Sequence, residues 1–328
     1  MITLSRRSAV LLVGVALILV ACTGGGGNLG SVPPVPTPSA SLDPGPDLTP
    51  EPSATPSAAP TSGPSSEPTS EPSSTPSPTV APTDTMIVRA YFVLGGEPGV
   101  EGLVPTLRQV PKSIAVAKAA MNALLDGVPS GERFAPVSSA IPAGTKLLGL
   151  TIKNGIATVD LSTEFDSGGG AASMRYRLAQ VVYTLTQFAT VKSVVLQIEG
   201  QTVTVFGSEG IALAGPVGRA DFAEQLPSMF VDRPAYGAAL GNPGRVTGSA
   251  DVFEATFRVA VLDGAGKVLA DEQVMATCGS GCRGTFEASV VYDVAKAQWG
   301  TLRVYDPSEK DGSPTDVRDY PVWLTPGS

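Results

Sequence analysis

The stretch KLLGLTIKNGIATVDL at residues 146–161 decides the fold of the segment around it. Asn154-Gly155 is a two-residue turn signal, because both residues tolerate positive φ, and β-rich arms flank it. The pattern predicts a hairpin. After Gly168-Gly169-Gly170, the residues Met174, Leu178, Val181, Leu185 and Phe188 recur every three or four positions, which predicts a helix over 171–188. Upstream, Ile114, Ala117, Met121 and Leu124 predict another, stopped by Gly127 and Pro129. Segments 87–94 and 103–110 read as strands. Segments 194–198 and 202–206 flank Glu199-Gly200-Gln201 as a closing hairpin. The order ββα-ββα-ββ makes residues 86–207 an α+β domain, two helices on a sheet.

Beyond it the pattern is all-β. Phe253, Ala255, Phe257, Val259 and Val261 alternate onto one face of a strand over 252–262, and Asp263-Gly264-Ala265-Gly266 turns the chain. Further strands fall at 267–276, 285–292, 300–305 and 317–324. Short strands at regular spacing predict an immunoglobulin-like β-sandwich over 234–326. Residues 208–233 read as a connector with one short helical piece near 220–225. It is expected, with the N-terminal stalk, to be cut first by proteases.

The N-terminus reads as an export signal. Arg6 and Arg7 precede an apolar run over 9–20, too short to span a bilayer, which needs about 20 residues. Leu19-Val20-Ala21-Cys22 looks like a lipobox, so residues 1–21 are expected to be removed and Cys22 to carry lipid. Two or more acyl chains hold a protein stably at a membrane. The expected location is extracytoplasmic, lipid-anchored to the cell membrane. Residues 23–85 hold 16 of the 30 prolines and no Lys or Arg. With Cys22 they form a lipidated, disordered Pro/Ser/Thr-rich stalk, since such a sequence cannot bury enough apolar surface to offset its ordering entropy.

Composition excludes several chemistries. The net charge is −8, and more negative once Arg6 and Arg7 leave with the signal, which argues against nucleic acid. There is no histidine, so Ser-His-Asp and Cys-His catalysis and histidine-ligated zinc are excluded. No cofactor is expected. Cys278 and Cys282, separated by Gly279-Ser280-Gly281, are expected to form a disulfide in an exported chain; two free thiols are the alternative.

Family resemblance adds to this reading. Val88-Arg89-Ala90-Tyr91-Phe92, Leu103-Val104-Pro105, Arg108, Leu124-Leu125-Asp126-Gly127, Ile141-Pro142-Ala143-Gly144-Thr145, Val159-Asp160-Leu161 and Thr184-Leu185-Thr186-Gln187-Phe188 resemble the GerMN domain of bacterial spore-germination and sporulation lipoproteins. Val128, between Gly127 and Pro129, departs from the usual pattern. Val252-Phe253-Glu254-Ala255, Asp263-Gly264, Gly284-Thr285-Phe286-Glu287 and Ser308-Glu309-Lys310-Asp311-Gly312-Ser313 resemble the immunoglobulin-like domain found beside it. The resemblance implies a non-catalytic envelope lipoprotein that binds cell-wall or envelope components, with peptidoglycan or envelope proteins as partners, and a part in sporulation or germination where the organism makes spores.

Three polar groups are candidate sites. Asp160, Glu164 and Asp166 offer a carboxylate pair for a cell-wall glycan hydrolase, or ordinary loop chemistry. Asp306, Glu309, Asp311 and Asp316 offer oxygen ligands for calcium, or a solvated turn. Tyr183, Thr184, Thr186 and Gln187 form a polar helix surface expected to face water. An assembly scaffold, docking an envelope protein by a sheet edge, is the remaining alternative. No catalytic or metal-binding residue is assigned.

Overall fold

A computed structural model describes residues 84–95, 101–129 and 137–327. The signal, Cys22 and the stalk up to residue 83 lie outside them. In chain order the elements are β1 (Thr85–Leu94), β2 (Gly102–Pro111), α1 (Val116–Leu125), β3 (Val137–Ser138), β4 (Leu147–Lys153), β5 (Ile156–Leu161), α2 (Ala171–Leu185), β6 (Ser193–Ile198), β7 (Gln201–Thr202), β8 (Val205–Phe206) and β9 (Ile211–Ala212). The second half adds β10 (Met229–Arg233), β11 (Ala239–Leu240), β12 (Gly244–Ala250), β13 (Thr256–Leu262), β14 (Val268–Met275), β15 (Gly284–Val290), β16 (Gln298–Pro307) and β17 (Pro314–Leu324).

The first domain is α+β, but its strands form two principal sheets rather than one. β2-β1-β3 is the first and β4-β5-β6-β7 the second. Asn154 and Gly155 both have positive φ, 51° and 81°, as the hairpin between β4 and β5 requires. β5 and β6 run parallel because α2 carries the chain across between them. Met174, Leu178, Val181 and Leu185 are buried together with Phe92, Met121, Leu124 and Val159 in one core. Two features depart from expectation. Ile114 is fully exposed, because α1 begins only at Val116. The closing hairpin stops at Thr202. Val205 and Phe206 pair with Ile211 and Ala212 instead, which sends Phe206 into the core against Phe165, ring centroids 5.3 Å apart.

The second domain is a sandwich of β10-β12-β15 against β11-β17-β16-β13-β14. Phe257, Val259 and Val261 face its core as expected. Phe253 does not: it is 62% exposed, in a tight turn over Phe253–Ala255 where Glu254 and Ala255 have positive φ. The cause is the loop that packs on it. The Val252 carbonyl accepts hydrogen bonds from both the Ala255 and Ser280 N–H groups, and the Ser280 hydroxyl accepts from Glu254 N–H.

That loop carries the Cys278–Cys282 disulfide, Cα atoms 5.7 Å apart, between the end of β14 and the start of β15. It closes a ring of only a few residues. Reducing it, or replacing both cysteines by serine, is expected to lower stability by about 2 kcal/mol on the chain-entropy model. Urea unfolding checks this; a loss above about 4 kcal/mol, beyond what so short a ring supplies, would mean that the loop does more than close a turn.

The segment read as a connector is integral to the fold. Phe222, Leu226 and Phe230 are buried in the first domain's core, and Met229 and Val231 in the second domain's. β10 is buried on both faces, each against a different core. β2 returns the exchange: its Val104 lies in the sandwich core. The expectation of early proteolysis at 208–233 is therefore corrected for this part, since its backbone is packed and paired. Among the described residues no helix is long and apolar enough to cross a membrane.

Candidate functional site at the domain junction

Alternation along β10 builds the site. Met229 and Val231 point into the sandwich, so Phe230 and Asp232 point toward the first domain. Asp232 meets three of that side's residues. Arg89 Nη1 on β1 donates to its Oδ2 at 2.8 Å, and the Tyr91 hydroxyl donates to Oδ1 at 2.5 Å. Arg219 Nη1, from the short helical turn Arg219–Gln225, lies 3.7 Å from Oδ1. The Arg219 guanidinium stacks over Tyr183 at 4.6 Å and Tyr91 at 5.5 Å. It also donates from Nε to the Thr186 hydroxyl at 2.9 Å and from Nη2 to the Tyr91 hydroxyl at 3.2 Å.

The polar residues at the C-terminal end of α2 and just beyond it, expected to face water, are instead buried or half-buried. Thr184 is fully buried and accepts the Tyr91 N–H at 3.1 Å. Gln187 accepts the Arg89 N–H at 3.1 Å and donates to the Arg89 carbonyl at 2.6 Å. Gln180, not singled out from the sequence, donates to the Tyr91 carbonyl at 3.0 Å. These side chains stand in for a neighbouring strand along β1, which has β2 on its other edge. Buried backbone groups must be paired, and here a helix pairs them.

The carboxylate candidates have structural partners. Asp160 accepts the Gly200 N–H at 2.9 Å. Glu164 sits in a tight turn whose carbonyls, with those of Ser167 and Gly168, are gripped by buried Arg177 through Phe165, Ser167 and Gly168. The Ser162 hydroxyl beside Glu164 holds its carboxyl below the usual range, the wrong direction for a glycosidase acid. In the second domain, Asp311 accepts from Ser313, while Asp316 takes Ser228 and Arg318. Burial, then Asp316 and Glu309, raises the carboxyl pKa of Asp306. Among the described residues no group of three carboxylates or cysteines converges to hold a metal.

Beside the Asp232 cluster runs a groove of about 820 Å³. Tyr183, Arg219, Ala223, Leu226, Phe230 and Asp232 line it together with Thr247, Ser249, Met275, Thr277, Arg283, Thr285 and Glu287. The residue types alone did not signal it, because they lie far apart in sequence.

Two family models divide the chain at this junction. Residues 89–204 match Germane, described as sporulation and spore germination, and residues 228–313 match Gmad2, the immunoglobulin-like domain of bacterial spore germination. The protein joins a Germane domain to a Gmad2 domain. The Gmad2 match takes in β10. Solved structures similar to parts of the chain include the first GerMN domain of the sporulation protein GerM from Bacillus subtilis, with 26% identity, 42% of this chain and 99% of that one covered, and a TM-score of 0.36. A Clostridium perfringens chain described as a lipoprotein matches at 22% identity, over 43% and 93%, with a TM-score of 0.30. The tandem GerMN domains of GerM match at 17% identity, over 75% of this chain and 62% of that one, with a TM-score of 0.37. No curated protein matches.

The junction tyrosines make stability pH-dependent. Burial pushes the Tyr183 phenol up to about 12, against the opposing pull of Arg219 and Arg283, and raises Tyr91 too, with Asp232 adding to it. Burial also takes Tyr320, in the Gmad2 core, to about 12. Each folded-state value lies above the ordinary tyrosine value of about 10. The folded state therefore keeps its protons longer. The contribution is complete below pH 10 and is lost as pH rises toward 12. Urea midpoints are expected to hold to about pH 9 and fall steeply above about pH 10; a flat profile would contradict the burial.

Proposed function

We propose that this protein is a non-catalytic envelope lipoprotein, held at the outer side of a membrane by lipid on Cys22, that binds a cell-wall component in the groove between its Germane and Gmad2 domains. The observation that carries this reading is the groove itself, built by both domains and bordered by cations. The descriptions of both domains support a place in sporulation or germination. The lowered pKa of Glu164 argues against the carboxylate hydrolase reading, whose acid needs a raised one.

Two measurements test it. Cys22→Ala should release the protein from the membrane fraction; an unmodified Cys22 thiol in the mature wild-type protein would refute the anchor. Isolated peptidoglycan sacculi should retain the full-length protein on sedimentation, and Ala223→Trp, which fills the groove, should abolish retention. Retention unchanged by Ala223→Trp, or none by the wild type, would overturn the site.

A further inference from the structure

The groove carries a charge imbalance that its own residues do not resolve. Two carboxylates line it, and both are engaged: Asp232 by Arg89 at 2.8 Å and Glu287 by Arg245 at 2.7 Å. Two guanidiniums line it as well. Arg219 lies 3.7 Å from Asp232, whose oxygens already accept from Arg89 and Tyr91 at closer range. Among the described residues, no carboxylate comes within 4.0 Å of Arg283 to form an ion pair. Its Nη1 reaches only the carbonyls of Ser228 and Ser249 and the Ser249 hydroxyl, at 3.3 to 3.5 Å. Two lining carboxylates, with Asp251 acting on Arg283 from beyond ion-pair distance, thus face four arginines. Burial lowers the pKa of Arg283 against the opposing pull of Tyr183 and Asp251, a sign that water solvates this cation poorly.

An under-neutralised guanidinium beside an apolar wall suits an anionic head joined to a small apolar body. A planar guanidinium fork matches a carboxylate by paired N–H donors. The wall is Ala223 and the exposed Met275. The hydroxyls of Thr247, Ser249 and Thr285, which also line the groove, offer partners for amide groups, which an acyl tail lacks. Resting on the binding function above, we propose that the groove takes the free α-carboxylate end of a short peptide. Arg283 holds the carboxylate, the Ala223–Met275 wall covers the terminal apolar side chain, and the hydroxyls meet the peptide amides.

The test is calorimetric titration of the full-length protein in detergent with acetyl-Ala-Ala-Ala, ending either in a free carboxylate or in an amide. The carboxylate form is expected to bind at least about tenfold more tightly, as a charge-assisted hydrogen bond implies. Arg283→Gln should erase the preference, Arg283→Lys should keep part of it, and Arg303→Gln, in an exposed pair with Asp319, should leave it intact. Should Arg283→Gln fail to fold, the wild-type preference must still weaken as salt is raised, since salt screens the charge. Equal affinity for the two peptides, binding of neither, or a preference indifferent to salt or to Arg283→Gln would overturn the proposal. Binding to phosphatidylglycerol vesicles without peptide binding would overturn it in favour of a lipid. Sacculi sedimented with the same samples separate the two levels. Retention blocked by Ala223→Trp without a carboxylate preference sinks the peptide assignment alone, whereas no retention removes the groove function as well.

Discussion

Asp232→Ala is expected to destabilise the protein by about 3 kcal/mol, the cost of removing one partner from a largely buried charged cluster. The change leaves Arg89 facing the Asp232 position without its 2.8 Å acceptor, and the Tyr91 hydroxyl without its 2.5 Å one. Arg219 retains its ring contacts and Thr186 but loses the only carboxylate that pairs with it among the described residues. For a folded region of this size, about 3 kcal/mol corresponds to a melting temperature lower by roughly 6–12 °C. Asp232→Asn keeps an oxygen for Tyr91 and should cost less. A shift below about 2 °C for Asp232→Ala, under 1 kcal/mol on the same scale, would show the cluster to be incidental.

Phe230→Ala is expected to cost more, about 4 kcal/mol, as for deletion of a buried aromatic ring. Its position makes the effect diagnostic. The ring is 2% exposed and lies in the Germane core, while its chain neighbours Met229 and Val231 lie in the Gmad2 core. Both tryptophans, Trp299 and Trp323, belong to β16 and β17 of the sandwich, and both long helices belong to the Germane domain. Tryptophan fluorescence therefore reports one domain and helical circular dichroism the other. Both transitions should move together in Phe230→Ala, and should coincide in the wild type as a cooperative unit requires. A variant that shifts only the circular dichroism would contradict the shared strand.

Much of the fold was legible because local chemistry and packing agree there. Asn154-Gly155 turns where its residue types demand, and Met174, Leu178, Val181 and Leu185 reach the core their spacing implies. What was missed follows from context. β10 lacks polar alternation because both its faces are buried, so Met229-Phe230-Val231 read as an apolar run within a linker. β12 was not seen because Gly244, Gly248 and Ser249 have weak strand preference. Gly248 is there for clearance: a Cβ on it would sit 1.9 Å from the Phe230 carbonyl oxygen. Gln180, Thr184 and Gln187 do carry a signal, polar residues at helical spacing on one face. The face was assigned to water because nothing in the sequence says that β3 pairs only with Val93 and Leu94 and leaves Arg89 and Tyr91 on that edge of β1 without a strand partner. Tyr91 and Asp232 are 141 positions apart, beyond the reach of any local pattern. Cys278 and Cys282, close in sequence, were readable as a pair.

On this reading the two domains form one body whose shared groove is the binding site. Hydrogen exchange of the full-length protein, with and without soluble fragments of digested peptidoglycan, tests it most directly. The account predicts that ligand slows exchange together in residues 219–232 and in residues 247–249 and 283–287, and that Ala223→Trp removes both effects. Protection confined to one of the two domains, protection centred elsewhere, such as at Trp299 and Trp323, or no protection at all would contradict it.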